Sequence, residues 1–422
     1  MELPRPSTAR RVAALALSVS SLAVALTACG QGDGTASGSV SCSTSAPGVT
    51  KTEIKAGLLW GDSGSGASSM RAFRAGVDAR LDLENDRGGV NGRKITYAWR
   101  DDASDQNINL LGARQLVDEE KVFGIIEAPG ATTGSVAWLG QRNVPVTGLA
   151  SDPGWVGLAN MFSFYYLGNG SSTVYGDVIR AQGGTRAALI TTGSKSELDF
   201  SRQYSASLAA AHVQIVKEFP VSESTGYQNM AQQLKQNNID TLAGVLLPDA
   251  AVNILPAARA LGVQLKVVIM PLGYDPKLLQ TEGPALAGTL ISTETRPWQL
   301  NTPEQKTFLD AMNQYSPEIQ PPNQDSGADG YVSADLFVRG LKAAGPCPTR
   351  ESFIAGLRAV RDYDGAGLVP GNIDLSQNYK QPRPCYYFVQ VSKDGKQFVP
   401  LFDGQPQCGS PISAQQMDQL LS

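Results

Sequence analysis

IKAGLLWGDSGSGASSMRAFRAGVDARLDLENDRGGVNGRKITYAWRDDASDQ, Ile54 to Gln106, is the stretch that decides the fold. Ile54 to Trp60 is an apolar strand, and it runs into a Gly/Ser loop, Gly61 to Ser69. Met70, Phe73, Val77 and Leu81 then recur at three- and four-residue steps, which predicts a helix. Gly88-Gly89-Val90-Asn91-Gly92 is a turn cluster, where glycine and asparagine adopt positive φ at little cost. A second strand sets Ile95, Tyr97 and Trp99 against Thr96, Ala98 and Arg100. It ends at Asp101-Asp102, with Ser104 or Asp105 placed to cap the next helix. Strand, loop, helix, turn, strand, helix opens a parallel α/β sheet, whose ligands lie beyond the carboxyl ends of the strands. In the first unit that place is the Gly61 to Ser69 loop. It lacks the lysine and Ser/Thr of a phosphate-binding loop.

The α/β pattern continues outward from this stretch. Helix Gln106 to Glu120 carries Ile108, Leu111 and Leu116 on one side, and a short strand spans Val122 to Ile126. Further strand-end loops follow at Glu127 to Thr133 and Gly148 to Gly154. After the extended aromatic run Met161 to Leu167 and the glycines Gly168 and Gly170, a second α/β unit reads as strands at Arg186–Thr191, Gln214–Phe219, Thr241–Leu247 and Lys266–Met270. Helices are expected at Pro303–Gln314, Gly330–Ala343 and Thr349–Ala359, and a hairpin around Asp394-Gly395. The reading is two Rossmann-like lobes with parallel sheets. Residues 52–166 and 289–372 form the first lobe, and 167–288 the second. Residues 373–422 return to the second lobe and end in a tail.

Composition excludes several classes of function. A formal charge of -4 argues against a nucleic-acid surface. The single histidine, His212, lowers the prospect of metal or acid–base chemistry, so no catalytic residue, metal or cofactor is expected. A secreted hydrolase would have to draw on Ser63, Ser65 or Ser194, and no Gly-x-Ser-x-Gly elbow is present.

Arg5, Arg10 and Arg11 precede the apolar run Val12 to Leu26, which reads as a signal peptide over 1–28. Leu26-Thr27-Ala28-Cys29 resembles a bacterial lipobox. The resemblance implies lipidation of Cys29 and a membrane-anchored chain on the outer face. Residues 29–51 then form a flexible, Gly/Ser/Thr-rich tether. The four remaining cysteines suggest two disulfides with three possible pairings; Cys347–Cys385 and Cys42–Cys408 are the favoured pair.

The strand Ile54 to Leu59, the turn Gly88 to Lys94, the strand end Asp101 to Asp105, Val144-Pro145-Val146, Arg259 to Val263 and Lys393 to Lys396 resemble the leucine/isoleucine/valine-binding family. The resemblance covers Thr52 to Leu401. It implies the type I periplasmic-binding-protein fold, in which two lobes joined by three crossings close on a small solute. It also implies a monomeric lipoprotein that serves the permease of an ABC importer. A sensory module of the same fold is the alternative.

Carried over by position, the family's site falls on the first loop with Ser68 and Ser69, on Ala128, Pro129, Gly130 and Thr132, and on Ala150, Ser151 and Asp152. In the second lobe it falls on Ser196 and Leu272, and Leu247 and Tyr274 are further ligand-binding candidates there. Leu272 stands where the family has an acid for an amino-acid ammonium, and Asp152 where it has a hydroxyl for the carboxylate. Branched-chain amino acids are therefore disfavoured as ligands. Trp155, Trp298 and Tyr331 are further cleft candidates.

Overall fold

The computed structural model describes residue 42 and residues 46–64, 67, 70–128, 130–150, 153–166, 168–191, 195–221, 226–371, 373–380 and 385–422. The signal peptide, Cys29, most of the tether, and Ser65, Ser68, Ser69, Pro129, Ser151, Asp152 and Ser194 lie outside the described residues.

The first lobe opens with β1 (Glu53–Trp60), α1 (Phe73–Asp86), β2 (Lys94–Asp101) and α2 (Gln106–Arg114). It continues with β3 (Ile125–Glu127), α3 (Val136–Gln141), β4 (Val146–Ala150) and β5 (Met161–Tyr166). Among the described residues the sheet is parallel throughout, in the order β2-β1-β3-β4-β5. β1 lies inside this sheet and is buried almost continuously after Ile54, as a strand covered on both faces must be.

A short β6 (Ser171–Ser172) leads into the second lobe. Its order of elements is α4 (Val174–Ala181), β7 (Arg186–Thr191), α5 (Lys195–Ala210), β8 (Gln214–Pro220), α6 (Tyr227–Gln236), β9 (Thr241–Gly244), α7 (Pro248–Ala260), β10 (Val267–Met270), α8 (Pro276–Leu286) and β11 (Leu290–Thr293). α9 (Pro303–Tyr315), α10 (Asp325–Ala344) and α11 (Arg350–Arg358) go back to the first lobe. β12 (Cys385–Val391), β13 (Phe398–Pro400), β14 (Gln407–Cys408), β15 (Pro411–Ile412) and α12 (Ala414–Leu421) finish the chain on the second. The second sheet runs β13-β12-β11-β10-β9-β7-β8. Its parallel strands end at β11, and β12 and β13 add antiparallel. β11 thus belongs to the second sheet, and the crossing falls after Thr293 rather than at residue 289.

Both sheets reverse their winding beside a first strand, between β1 and β3 and between β7 and β9. Ligands of open α/β sheets lie outside the carboxyl ends at such switch points.

The first lobe is closed by α1 against α10. A Cβ added to Gly76 would stand 1.9 Å from the carbonyl oxygen of Gly327, and one added to Gly330 would stand 1.9 Å from that of Phe73. The two backbones therefore touch where a side chain cannot fit. Along the same seam Arg80 binds Asp335 at 2.7 Å and Glu84 at 3.0 Å, and Lys342 binds Glu84 at 2.6 Å.

Several expectations need correction. α10 begins at Asp325, not at Gly330, because its glycines serve the contact with α1. Ile108 and Leu111 are exposed; α2 rests on Gly112 and Ala113 instead, and a Cβ on Gly112 would come 2.9 Å from Leu59 Cδ1. Trp99 is also exposed, since β2 is an edge strand, and the Arg74 guanidinium covers its ring at 4.8 Å.

The disulfides are Cys42–Cys347 and Cys385–Cys408, so both favoured pairings are wrong. β14 lies antiparallel on β12 with Cys408 directly opposite Cys385, a register that commits this pair to each other. Spacing along the chain carried no hint of that register.

Gly76→Ala and Gly330→Ala should each lower stability by about 1–3 kcal/mol, the usual cost of forcing volume into a filled contact. Urea unfolding of the two variants beside the parent measures it. Midpoints equal to the parent's would contradict the close approach.

Candidate functional site

A cavity of about 260 Å³ takes its walls from both lobes. Met70 and Arg71, just before α1, come from the first lobe, with Gln324, Asp325, Ser326 and Asp329 at the start of α10. The second lobe supplies Leu247, Pro248 and Asp249 after β9 and Leu272 to Asp275 with Leu278 after β10. All of the second-lobe residues follow the carboxyl ends of strands, where this architecture holds ligands.

Each wall is held from behind. The loop after β1 is tied to the end of β2: Asp101 accepts hydrogen bonds from the N–H groups of Asp62, Ser63 and Ala103 and from the Ser63 hydroxyl. Burial opposes ionisation of Asp101, yet these donors hold its carboxyl below the usual range. Asp105 caps α2, accepting from the N–H groups of Asn107 and Ile108. Asp101-Asp102 is thus a structural brace. On the other lobe, Tyr274 is 1% exposed, and its hydroxyl donates to Gln299 at 2.6 Å and accepts from the Trp298 N–H at 2.7 Å. Tyr274 is therefore a fixed wall with its polar atom already engaged.

The floor is acidic. Asp325 and Asp329 are one helical turn apart, which puts them on one face of α10. Asp325 accepts from the Thr295 hydroxyl at 3.2 Å. Burial pushes its carboxyl well above the usual range, with Glu294 adding repulsion and the threonine hydroxyls pulling the other way. Asp329 is 8% exposed. Burial drives its carboxyl up as well, with Glu294 and Asp325 adding to the effect. No three of the described histidines, cysteines and acids are grouped to hold a metal ion.

Of the residues expected at the site, Leu247, Leu272 and Tyr274 line this cavity. Ala128 and Thr132 are buried, at 0% and 1% exposure, and neither lines it; nor does exposed Gly130. Ala150 closes β4 and Ser196 lies in the first turn of α5. Trp155 and Trp298 pack in the core, Trp298 stacked on Phe308, and Tyr331 packs edge-on against the same ring. Sequence reasoning missed Met70, Arg71, Asp249, Asp275, Asp325 and Asp329. Asp249 just after Pro248 and Asp275 just before Pro276, both at helix starts, were the local signals available.

The model of the periplasmic binding protein family matches residues 53–396. No curated protein matches the chain. Among solved structures, the fold is similar to the branched-chain amino acid transporter substrate binding protein LivJ from Streptococcus pneumoniae, in complex with isoleucine. The two share 18% identity at a TM-score of 0.67, over 83% of this chain and 100% of the other. A solute binding protein of an ABC transporter from R. palustris, in complex with benzoate, matches at 18% identity and TM-score 0.66, over 86% and 97%. A fatty acid ABC transporter substrate-binding protein from Thermomonospora curvata matches at 18% and 0.67, over 89% and 96%. The architecture is that of the type I periplasmic binding proteins.

The raised carboxyl of Asp329 gives a signed pH dependence. The folded protein keeps this proton where the unfolded chain, titrating near pH ~4, has lost it. Stability from this group is therefore full near and below that pH and declines as pH rises through the folded value. Asp329→Asn has no such proton to lose. Without added solute it should melt above the parent at pH 8, and the gap should close towards pH 4. Scanning calorimetry of both proteins across that range reads it, and a gap that widens on acidification would contradict the assignment.

Proposed function

This chain belongs to the periplasmic binding protein family, and we propose that it is the extracytoplasmic solute-binding component of an ABC importer. On this reading its lobes close on a small polar organic molecule and present it to a membrane permease. Nothing is made or broken while the solute is held. The observation that carries the reading is the cavity between the lobes, walled by the carboxyl ends of the second sheet on one side and the starts of α1 and α10 on the other. Hinge closure around a ligand is the standard motion of such a design.

The amino-terminal features complete the proposal. A signal peptide cleaved before Cys29 and a lipid on that cysteine would hold a monomeric body on the outer face of the membrane. No helix among the described residues is long and apolar enough to cross a membrane.

The family neighbours' ligands include isoleucine and benzoate, both of which carry a carboxylate. Among the described residues, four aspartates line the cavity against one arginine, Arg71. Like charges in a closed site oppose binding, so leucine, isoleucine and valine are not expected to be the solute.

A thermal-shift screen of amines, amides, alcohols, sugars and carboxylates, followed by small-angle scattering of the hits, tests the function. A solute at 100 times its Kd should stabilise the protein by about 2.7 kcal/mol and reduce its radius of gyration. A hit that left the scattering unchanged would contradict lobe closure, and a strong leucine response would contradict the reading of the walls.

A further inference from the structure

The solute's chemical class can be read from a buried group that the described residues leave without a partner. Asp329 is more than nine-tenths buried and lines the cavity. Among the described residues its carboxylate has no hydrogen-bond or ion-pair partner. A buried carboxyl in that state keeps its proton, and it ionises only when a positive charge or hydrogen-bond donors reach it. Asp325, on the same face one turn away, adds repulsion rather than a hydrogen bond. Asp249 and Asp275 bring two further carboxylates to the lining, though the Asp275 side chain is already bonded to the N–H of Lys277 at 2.7 Å. Arg71 is the one cation in the lining; it is exposed and forms no ion pair among the described residues.

We infer that the solute is a small organic cation, an amine or amidine on an apolar body, and that the carboxylate of Asp329 is its counterion. The inference rests on the solute-binding function proposed above and names the class of molecule held.

Three observations narrow it. Met70, Leu247, Leu272, Leu278 and the ring of Tyr274 give the cavity apolar walls, which suit a hydrocarbon body rather than a sugar. A cavity of about 260 Å³ admits only a small molecule. The acids are not gathered as metal ligands, so an inorganic cation does not fit as well as an organic one. A free carboxylate on the solute would face Asp325 and Asp329 across the same space. The design therefore favours an amine over the amino acid that differs from it only by a carboxylate.

Matched probes test this on the intact protein. Isoamylamine and leucine, and phenethylamine and phenylalanine, differ by one carboxylate. Benzylamine, benzyl alcohol and benzoate differ in charge at similar size. Titration calorimetry and scattering should show binding and closure with at least one amine, and at least tenfold weaker binding of its carboxylate-bearing or neutral partner. Asp329→Asn should weaken the amine by roughly 30-fold or more, as removal of one member of a buried charge pair does, while leaving its alcohol analogue within about twofold. Arg71→Ala removes a like charge from the lining and should tighten the amine. It is also the second variant should Asp329→Asn fold poorly. Closure on alcohols or carboxylates but not amines would overturn the inference and leave the solute-binding function standing. Amine binding that survived Asp329→Asn unchanged would also overturn it. No binding and no change in scattering with any probe would count against both.

Discussion

Two helices separated by some two hundred and fifty residues of chain meet here with nothing between their backbones. The contact at Gly76, Gly327 and Gly330 is the constraint on which the first lobe depends. α1 follows the first strand of the chain, and α10 arrives only after the whole second lobe has been built. Bringing them together costs the entropy of closing a very long loop, although that cost grows only slowly with length. Close packing and the ion network of buried Arg80 and Glu84 with Asp335 and the exposed Lys342 offset it. A charge network of this kind contributes register as much as energy, because only one alignment of the helices pairs all four groups.

The same contact places the recognition surface. Met70 and Arg71 stand at the entrance of α1, and Asp325 and Asp329 lie in the first turns of α10. The helices meet just beyond these residues, so the first-lobe wall of the cavity is as rigid as the seam behind it. On the opposite wall, Tyr274 is pinned through Trp298 and Gln299, which lie on the passage from the second lobe back to the first. The second-lobe wall is thus braced at a point where the chain passes between lobes, and the first-lobe wall within its own lobe. Between them sit four carboxyl groups that no cation among the described residues pairs with.

Much of the fold was legible because local signals and burial agree. Ile54 to Trp60 is an unbroken apolar run and became an interior strand. Asp105 stands before a helix and caps it. Strand Arg186–Thr191 has the limits its apolar run gives. The site was much less legible. Asp-Ser-Gly-Ala-Asp-Gly, residues 325–330, looks like a loop because glycine is a poor helix former. Its glycines answer to a partner helix that no local window contains. Ile108 and Leu111 misled for the complementary reason, since α2 uses its smallest residues against the sheet. The cysteine pairing was set by strand register, which spacing does not encode. Met70 and Arg71 follow a Gly/Ser loop in which no single residue announces its direction.

The Cys42–Cys347 bond has a mechanical consequence. Cys347 lies in the short connection between α10 and α11, so the covalent link fastens the beginning of the described chain to the first lobe upstream of β1. Val49 bridges Ile54, and Arg93 bonds the carbonyls of Thr50 and Pro346, which gives that junction a second set of fastenings. A pull applied upstream of Cys42 therefore enters the molecule at this rivet and is not transmitted as peeling of the first strand from its sheet. Under the lobe closure proposed above, the first lobe is then the stator and the second the part that swings.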